Sequence, residues 1–198
     1  MHMSKQRTTT RSDEVSGWFE ERFAMPAPEF RDGVPSVTPV NRPPPGVDEE
    51  ILSRLLAASV RRSVRGALRE LSGIERASEI RTALFEDAAD AWRIPVAEHI
   101  DRDCLDVNTG FGTRSLLLAE LADEVHAVDP SLDALRFLER RDDYAAAERV
   151  SSVHTSLADL PTRTEPYRTV VADFTGRDRP DYLSEALEKL STLVAIDG

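Results

Sequence analysis

Apolar residues in the second half of the chain alternate between short runs and helical spacing. The short runs predict β-strands at residues 104–107, 124–128, 150–154 and 169–172. Helical spacing predicts helices at residues 113–121, from about residue 131, and at about 180–190. Because strands separated by helices of this length pair in parallel through right-handed crossovers, the pattern predicts an α/β fold with a doubly wound, mostly parallel sheet.

Residues 48–98 carry helical patterns and form a predicted helical region in front of the sheet domain at residues 99–198. Asp48 is a favourable N-cap residue, and apolar residues recur after it at helical spacing as far as about residue 71. This pattern predicts one long amphipathic helix that ends at Ser72 and Gly73. A second helix is predicted at about residues 75–92.

Residues 1–47 contain many prolines, which break periodic structure, so we expect this segment to be largely irregular. One exception is the stretch at residues 15–23, where Trp18, Phe19 and Phe23 predict a short helix with an aromatic face. We favour the interpretation that this helix docks on the folded domain. The alternative is a lid that closes over a ligand.

The composition indicates one domain of ordinary size, since 40% of the 198 residues are apolar and suffice for a packed core. No apolar run approaches the ~20 residues that a membrane span requires. The polar amino-terminal residues also differ from a secretory signal. We therefore expect a soluble cytoplasmic protein.

The formal net charge of −11 repels phosphate-rich partners, so nucleic acid is disfavoured as a partner, although a local basic patch would still permit it. Nearly all the basic residues are arginine, and lysine stands only at Lys5 and Lys189. This acidic, lysine-poor composition is typical of a salt-adapted organism. The alternative is an ordinary acidic protein whose charge serves solubility.

The cysteine and histidine content predicts neither a disulfide nor a metal site. Cys104 stands alone in a predicted buried strand, where a small core residue is expected. His99, His126 and His154 are scattered and lack the spacing of metal ligands.

Residues 103–113 combine a strand, an acidic residue, a glycine-rich bend and a helix start. Gly110 and Gly112 let the backbone bend sharply and approach a ligand closely. Asn108 adopts positive φ at a lower cost than most residues, so it suits the first bend. Thr113 is the predicted cap of the following helix.

Acidic residues end the two predicted strands beside this turn. Asp106 is expected to point its carboxylate toward a cationic group of a ligand or an ordered water. Asp129, at the end of the second strand, can accept two hydrogen bonds from a ribose diol. The arrangement predicts a site for a ligand that carries an adenosine and a charged tail.

The turn differs from the dinucleotide-binding motif G-x-G-x-x-G, because Ser115 stands where the third glycine is expected. An acidic residue before the bend also suits an amino group better than a pyrophosphate. A nicotinamide-dependent oxidoreductase therefore remains the weaker interpretation of this turn.

Residues 106–112 resemble the first motif of the class I S-adenosylmethionine-dependent methyltransferases, in which alternating glycines follow an acidic residue. Asp129 is similar to the acid of the family's second strand. Residues 153–161 and 167–173 are similar to its third-strand and fourth-strand segments. The resemblance covers about residues 100–198 and implies a Rossmann-like sheet with S-adenosylmethionine as the cofactor.

The resemblance also implies which residues hold the methionine part of the cofactor. They are Asp106, Asn108, Gly110 and Gly112, with Asn108 standing where the family has its first glycine.

By the same resemblance, Asp129 binds the ribose hydroxyls, and Ser156 and Leu157 lie beside the adenine. Ser156 stands where the family often has an acid. Asp173 is expected near the sulfonium and the methyl acceptor. No catalytic residue is assigned.

The family continues with a fifth strand and an antiparallel pair, whereas this sequence ends at Gly198. A short apolar stretch at residues 193–196 is either a fifth strand or the approach to one. We therefore expect a truncated domain, or a sheet edge that is covered by the amino-terminal segment or by a second chain in a homodimer.

The predicted function is methyl transfer to a small molecule or another acceptor. Residues 173–176 lack the Pro-Pro-aromatic sequence typical of members that methylate amino groups on nucleic acid or protein, which favours a small molecule or another acceptor. A methyltransferase-like binding module without turnover and a nicotinamide-dependent oxidoreductase are the alternatives.

Overall fold

The computed structural model describes residues 16–23, 25–26, 28–44, 47–60, 63–70, 97–100, 102–141, 144–163, 165–174 and 180–195. The strands are β1 (Glu29–Arg31), β2 (Val34–Ser36), β3 (Asp103–Val107), β4 (Glu124–Asp129), β5 (Val150–His154) and β6 (Thr169–Ala172). The helices are α1 (16–23), α2 (Glu49–Ser59), α3 (Val64–Glu70), α4 (Thr113–Leu118), α5 (Leu132–Leu138) and α6 (Pro180–Ser191). Short 3₁₀ turns lie at Ala97–His99 and Ala147–Arg149.

The strands form one sheet in the order β1-β2-β5-β4-β3-β6. The neighbouring pairs from β2 to β6 are parallel, and only the β1–β2 pair is antiparallel among the described strands. The strand order reverses at β3, which pairs with β4 on one side and with β6 on the other. A reversal of this kind opens a crevice at the carboxyl ends of the strands, where ligands bind in α/β sheets.

The predicted doubly wound sheet is confirmed, because helices cover both of its faces. Cys104 of β3 points to the face covered by α4 and α5, together with Leu116 and Leu135. The next residue, Leu105, points to the opposite face, where it packs with residues of α1 and α6. Burial on both faces is typical of the parallel strands of a doubly wound sheet.

The predicted strands agree closely with the observed ones. Strands β5 and β6 have their predicted bounds, and β3 and β4 are each one residue longer than predicted. Helix α4 is shorter than predicted and ends at Leu118. Ser131 caps α5 by accepting a hydrogen bond from the backbone N–H of Ala134.

The hairpin of β1 and β2 is regular structure within residues 1–47 that the sequence analysis did not predict. Asp32 and Gly33 form its turn with φ of 52° and 89°, the positive angles of a tight hairpin turn. Strand β2 pairs with β5 through Ser36 and His154, and the N–H of Val37 donates to the carbonyl of His154 at 2.9 Å. These three-residue strands depend on the edge of β5, a long-range contact that the local pattern does not show.

Helix α1 docks on the sheet, as predicted. Phe19 has no exposed surface, and Phe23 is also buried in the same apolar cluster as Leu105. The ring of Trp18 meets His126 of β4 edge-on, with 4.5 Å between the ring centroids. The helix is therefore part of the core.

The helical region begins as predicted, because the side chain of Asp48 accepts the N–H of Glu50 at 2.8 Å. The prediction of a single long helix is wrong, because helix α2 ends at Ser59 and a separate helix, α3, begins at Val64. Ser63 caps the second helix by accepting the N–H of Gly66 at 3.3 Å. The predicted helix at residues 75–92 lies outside the described residues.

Helices α2 and α3 pack over the glycine turn and α5. Their buried residues form one cluster with Phe111 of the turn and Phe137 of α5. Two ring centroids, those of Phe111 and Phe137, lie 5.7 Å apart in an edge-on contact. The helical region therefore supports the turn from outside the sheet.

The β6 end of the sheet continues through a short parallel pairing between Tyr167 and Val194. The N–H of Tyr167 donates to the carbonyl of Leu193 at 2.7 Å, and the N–H of Ala195 donates to the carbonyl of Tyr167 at 2.8 Å. Val194 lies in the apolar stretch at residues 193–196, which was predicted to be a fifth strand or the approach to one. The amino-terminal hairpin lies at the other end of the sheet, beside β5, so it does not cover this edge. A second chain at this edge stays a prediction.

Candidate functional site

The glycine turn lies at the carboxyl end of β3, where the strand order reverses. Asn108, Gly110 and Gly112 have φ of 57°, 56° and 79°. The positive φ predicted for Asn108 is confirmed. Three left-handed residues within five positions bend the chain sharply enough to expose backbone at the sheet crevice.

The two glycines of the turn have different surroundings. A side chain built on Gly110 would meet no atom within 4 Å. A Cβ atom on Gly112 would instead lie 2.7 Å from Cγ of Leu138, which belongs to α5. Gly110 therefore leaves open space, whereas Gly112 makes room for the protein's own packing.

Thr113 does not cap α4, which corrects that prediction. Gly112 occupies the cap position without a side-chain bond, and Thr113 is the first residue of the helix. The hydroxyl of Thr113 instead accepts a hydrogen bond from Nη1 of Arg141 at 2.8 Å. Arg141 is buried and also approaches the carbonyl of Phe111 at 3.5 Å. This arginine thus stabilises the turn through contacts with Phe111 and Thr113.

Asp129 meets the glycine turn directly. Its Oδ2 accepts the N–H of Gly110 at 2.8 Å, and its Oδ1 accepts the N–H of Ser131 at 2.7 Å. The structure therefore brings together two predicted site residues, Asp129 and Gly110. The carboxylate also fixes the start of α5 relative to the turn.

Asp106 does not face open space, which corrects the prediction that it points to a ligand cation or a water. Its side chain has no exposed surface. Its Oδ1 lies 2.7 Å from Nε and 2.6 Å from Nη2 of Arg114. Its Oδ2 accepts the hydroxyl of Ser115 at 2.5 Å. Because Ser115 donates to the carboxylate, the hydroxyl of Thr109, also at 2.5 Å, donates to Ser115.

Arg114 connects the ends of β3 and β6. Its Nη2 donates to the carbonyls of Val107 at 2.9 Å and Asn108 at 3.3 Å. Its Nη1 lies 3.5 Å from Oδ2 of Asp173. Burial disfavours the charged guanidinium, but the ion pairs with Asp106 and Asp173 outweigh this effect and raise the pKa of Arg114 above its ordinary value.

Asp173 lies beside the turn, and its expected position near the sulfonium and the methyl acceptor stays a prediction. Its carbonyl accepts Nδ2 of Asn108 at 2.8 Å, and its N–H donates to the carbonyl of Val107 at 3.1 Å. About 39% of its side chain is exposed, so its carboxylate is the more open of the two that contact Arg114.

The loop after β5 approaches Asp129 through its backbone. The N–H of Thr155 donates to the carbonyl of Asp129 at 3.1 Å. The hydroxyl of Ser156 donates to Asp159 at 2.7 Å and accepts the N–H of Asp159 at 3.2 Å. Leu157 is buried in the cluster that α1 and α6 share with the sheet. The roles of Ser156 and Leu157 beside an adenine stay predictions.

Arg114 and Ser115 were missed in the sequence analysis, although both contact Asp106. One signal was available, because an arginine and a serine stand in the first turn of an otherwise apolar helix. Asp106 precedes the bend and these two residues follow it, so their contact is visible only in the folded turn.

A strap at residues 36–42 was also missed. The hydroxyl of Ser36 lies 2.8 Å from Nδ1 of His154, whose Nε2 lies 3.2 Å from the carbonyl of Pro130. Asn41 accepts the N–H of Leu132 at 2.9 Å. The strap therefore crosses the carboxyl ends of β4 and β5 next to Asp129.

In the described part of the chain, no group of three or more histidine, cysteine, aspartate or glutamate side chains could hold a metal ion. None of the helices described there is both long and apolar enough to cross a bilayer.

No protein-family model matches the chain, and no curated protein matches it. Similar solved structures include complexes of DhpI with SAM and HEP and with SAH, both at 19% identity, with TM-scores of 0.49 and 0.48. These matches cover 77% and 75% of this chain but less than two thirds of each DhpI chain, 64% and 66%.

Two other similar structures come from named organisms. An rRNA methylase from Streptococcus thermophilus is 22% identical over 58% of this chain and 68% of its own, with a TM-score of 0.45. A SAM-dependent methyltransferase from Leishmania major is 14% identical over 75% of this chain and 57% of its own, with a TM-score of 0.46. Because these TM-scores lie below 0.5, the fold assignment rests on the strand order and not on these similarities.

Proposed function

We propose that the protein is an S-adenosylmethionine-dependent methyltransferase. The observation that carries the proposal is the open space at Gly110, which adjoins the carboxylate of Asp129 at the strand reversal. An adenosyl ligand can approach exposed backbone closely where a glycine carries no side chain. An acidic residue at the end of the neighbouring strand can then bind its ribose.

The residues at this crevice fit the cofactor. Gly110 leaves room for close approach. Each carboxylate oxygen of Asp129 already accepts one backbone N–H group, and its second lone pair would accept a ribose hydroxyl. The backbone contact between Thr155 and Asp129 brings the loop after β5 to the same place, which supports adenine contact by the neighbouring Ser156. Asp173, with its exposed carboxylate, would attract the positively charged sulfonium.

When bound, the cofactor supplies an electrophilic methyl group. The protein's own contribution is to align the acceptor with that group and to exclude water. Asp173 is the described residue best placed to meet an acceptor, because its carboxylate lies at the crevice and is partly exposed. We propose a small-molecule acceptor, since the net charge of −11 disfavours nucleic acid.

Titration calorimetry with S-adenosylmethionine, S-adenosylhomocysteine and NAD tests the cofactor. We expect micromolar binding of the first two. Gly110→Ala should weaken that binding at least tenfold, because its methyl group enters the space proposed for the ligand. Gly33→Ala is the matched control, since Gly33 also has positive φ and open surroundings but lies in the β1–β2 turn. Binding of NAD alone would overturn the proposal.

Transfer of a labelled methyl group tests turnover. The protein is incubated with labelled S-adenosylmethionine and a cell extract separated into small-molecule and macromolecular fractions. We expect label in the small-molecule fraction. Cofactor binding without label in either fraction would instead indicate a binding module.

We also propose that the acidic, lysine-poor composition is an adaptation to salt. The expected result is a higher unfolding temperature at molar potassium chloride than at low salt, because salt screens the repulsion among excess carboxylates. An unfolding temperature that falls with added salt would contradict this proposal.

A further inference from the structure

Asp106 cannot serve as the direct partner of a ligand's ammonium group in this structure. The carboxylate is fully buried, Arg114 occupies Oδ1, and Ser115 occupies Oδ2. A ligand that reached Asp106 would have to displace Arg114. That displacement is unfavourable, because it breaks a buried, hydrogen-bonded ion pair and takes from Arg114 its contact with Asp106.

The nitrogens of the Arg114 guanidinium differ in the acceptors that they contact. Nε and Nη2 contact Asp106 and the carbonyls of Val107 and Asn108. Nη1 lies on the side of Asp173, whose side chain is about 39% exposed, and about 18% of the Arg114 side chain as a whole is exposed. Of the described residues, Asp173 is the one that Nη1 approaches.

Nη1 retains capacity to bind an anionic oxygen. Its distance of 3.5 Å from Oδ2 of Asp173 exceeds the roughly 2.7–2.9 Å of a charge-assisted hydrogen bond. Each terminal nitrogen of arginine also carries two hydrogens, so Nη1 can serve Asp173 and a second acceptor. Asp106 meanwhile keeps the guanidinium in one orientation.

We propose that Arg114 binds the α-carboxylate of the cofactor's methionine part through Nη1, and that Asp106 is a positioning residue that acts through Arg114. The inference rests on the proposed function, because it assigns a partner to one group of S-adenosylmethionine. In the sequence-based prediction, the carboxylate of Asp106 faces a cationic group of the ligand. In this proposal, the guanidinium of Arg114 binds the ligand's carboxylate instead.

Decarboxylated S-adenosylmethionine separates these two modes of recognition, because it lacks the carboxylate and keeps the ammonium. Titration calorimetry compares its affinity with that of S-adenosylmethionine. We expect the wild-type protein to bind the decarboxylated compound about tenfold more weakly, the loss expected for one charge-assisted contact. The ratio of the two affinities is the readout, since a general loss of folded protein affects both ligands equally.

Three variants locate the contact. Arg114→Met should bring the ratio close to one, and Arg114→Lys should restore part of the preference through its charge. Asp106→Asn combined with Arg114→Met removes both charges together, so it avoids an unpaired buried carboxylate and should also give a ratio close to one. Arg54→Met, on the exposed surface of α2, is the control and should keep the wild-type ratio.

Distinct results reject the inference and the proposed function. Equal affinity of the wild-type protein for both compounds would overturn the role of Arg114 while leaving cofactor binding intact. Tighter binding of both compounds by Arg114→Met would also overturn it, because it would mean that the ligand displaces the arginine. Failure of the wild-type protein to bind S-adenosylmethionine or S-adenosylhomocysteine would instead reject the proposed function.

Discussion

Gly112 and Leu138 are in contact where the glycine turn meets α5, and a Cβ atom at Gly112 would lie 2.7 Å from Cγ of Leu138. Leu138 is buried with α4 and β4, so its side chain has little room to move. The contact fixes the turn to the helix that follows β4. It gives Gly112 a role in folding that is separate from any ligand.

Gly112→Ala should therefore lower the free energy of unfolding by about 2–4 kcal/mol, through the clash with Leu138 and the strain of an alanine at φ of 79°. Gly110→Ala is the matched variant and should cost only about 1–2 kcal/mol, because it carries the strain without the clash. Urea denaturation measures both. Equal losses would contradict the packing role of Gly112. In the double variant with Leu138→Ala, part of the Gly112→Ala loss should be recovered.

Asp129→Asn should destabilise the turn. Both carboxylate oxygens of Asp129 accept backbone N–H groups, from Gly110 and Ser131, and an amide can offer only one acceptor oxygen. We expect a loss of about 2 kcal/mol in the free energy of unfolding. Asp159→Asn is the control, since Asp159 is exposed and bonds only locally to Ser156 among its described contacts. If both variants unfold at the same urea concentration, Asp129 does not hold the turn.

Acid should destabilise the protein through His126. Burial outweighs the attraction of Glu124, whose Oε1 lies 3.2 Å from Nε2, and lowers the pKa of His126. The folded protein therefore keeps this histidine neutral, while the unfolded chain takes up a proton near pH 6.5. The free energy of unfolding therefore does not depend on the titration of His126 well above pH 6.5. Below about pH 6.5 it decreases as the pH falls, by up to about 1.4 kcal/mol per pH unit.

Unfolding midpoints measured between pH 8 and pH 5.5 check this prediction. His126→Gln stays neutral and should show a shallower loss toward acid than the wild-type protein. Part of the dependence should remain, because burial also lowers the pKa of His154. An unchanged slope in His126→Gln would show that other groups cause the acid sensitivity.

Phe19→Ala should test the docking of α1. Phe19 is fully buried against the sheet, so its removal should cost about 3–5 kcal/mol. Phe30→Ala in β1 is the control, because Phe30 is only half-buried and should cost about 1 kcal/mol. The expected loss for Phe19→Ala occurs without any ligand. A variant that unfolds like the wild-type protein, and differs only when the cofactor is added, would favour the lid interpretation.

The site shows the limits of reasoning from local sequence. The positive φ of Asn108 followed from its residue type and its place in a glycine-rich bend. The partner of Asp106 did not, because Arg114 reaches it only after the chain has turned through the bend. The contact between Arg114 and Asp173 depends on the pairing of β3 with β6, two strands that are neighbours only in the folded sheet.

The amino-terminal half shows the same limit. Helical periodicity continued across residues 60–63, so the break between α2 and α3 was not predicted. The aspartate–glycine turn at Asp32 and Gly33 was a usable hairpin signal. Strands of three residues are still too short to be recognised by alternation alone.

The sequence by itself determined the alternation of strands and helices, the bend at residues 108–112 and the aromatic helix at 16–23, because residue type and spacing act between close neighbours along the chain. Tertiary structure alone decided that the hairpin adds to β5, that Leu138 fills the space beside Gly112, and that Arg114 neutralises Asp106. These features depend on groups that are distant in sequence, or separated by a sharp bend, and that meet only when the sheet has formed.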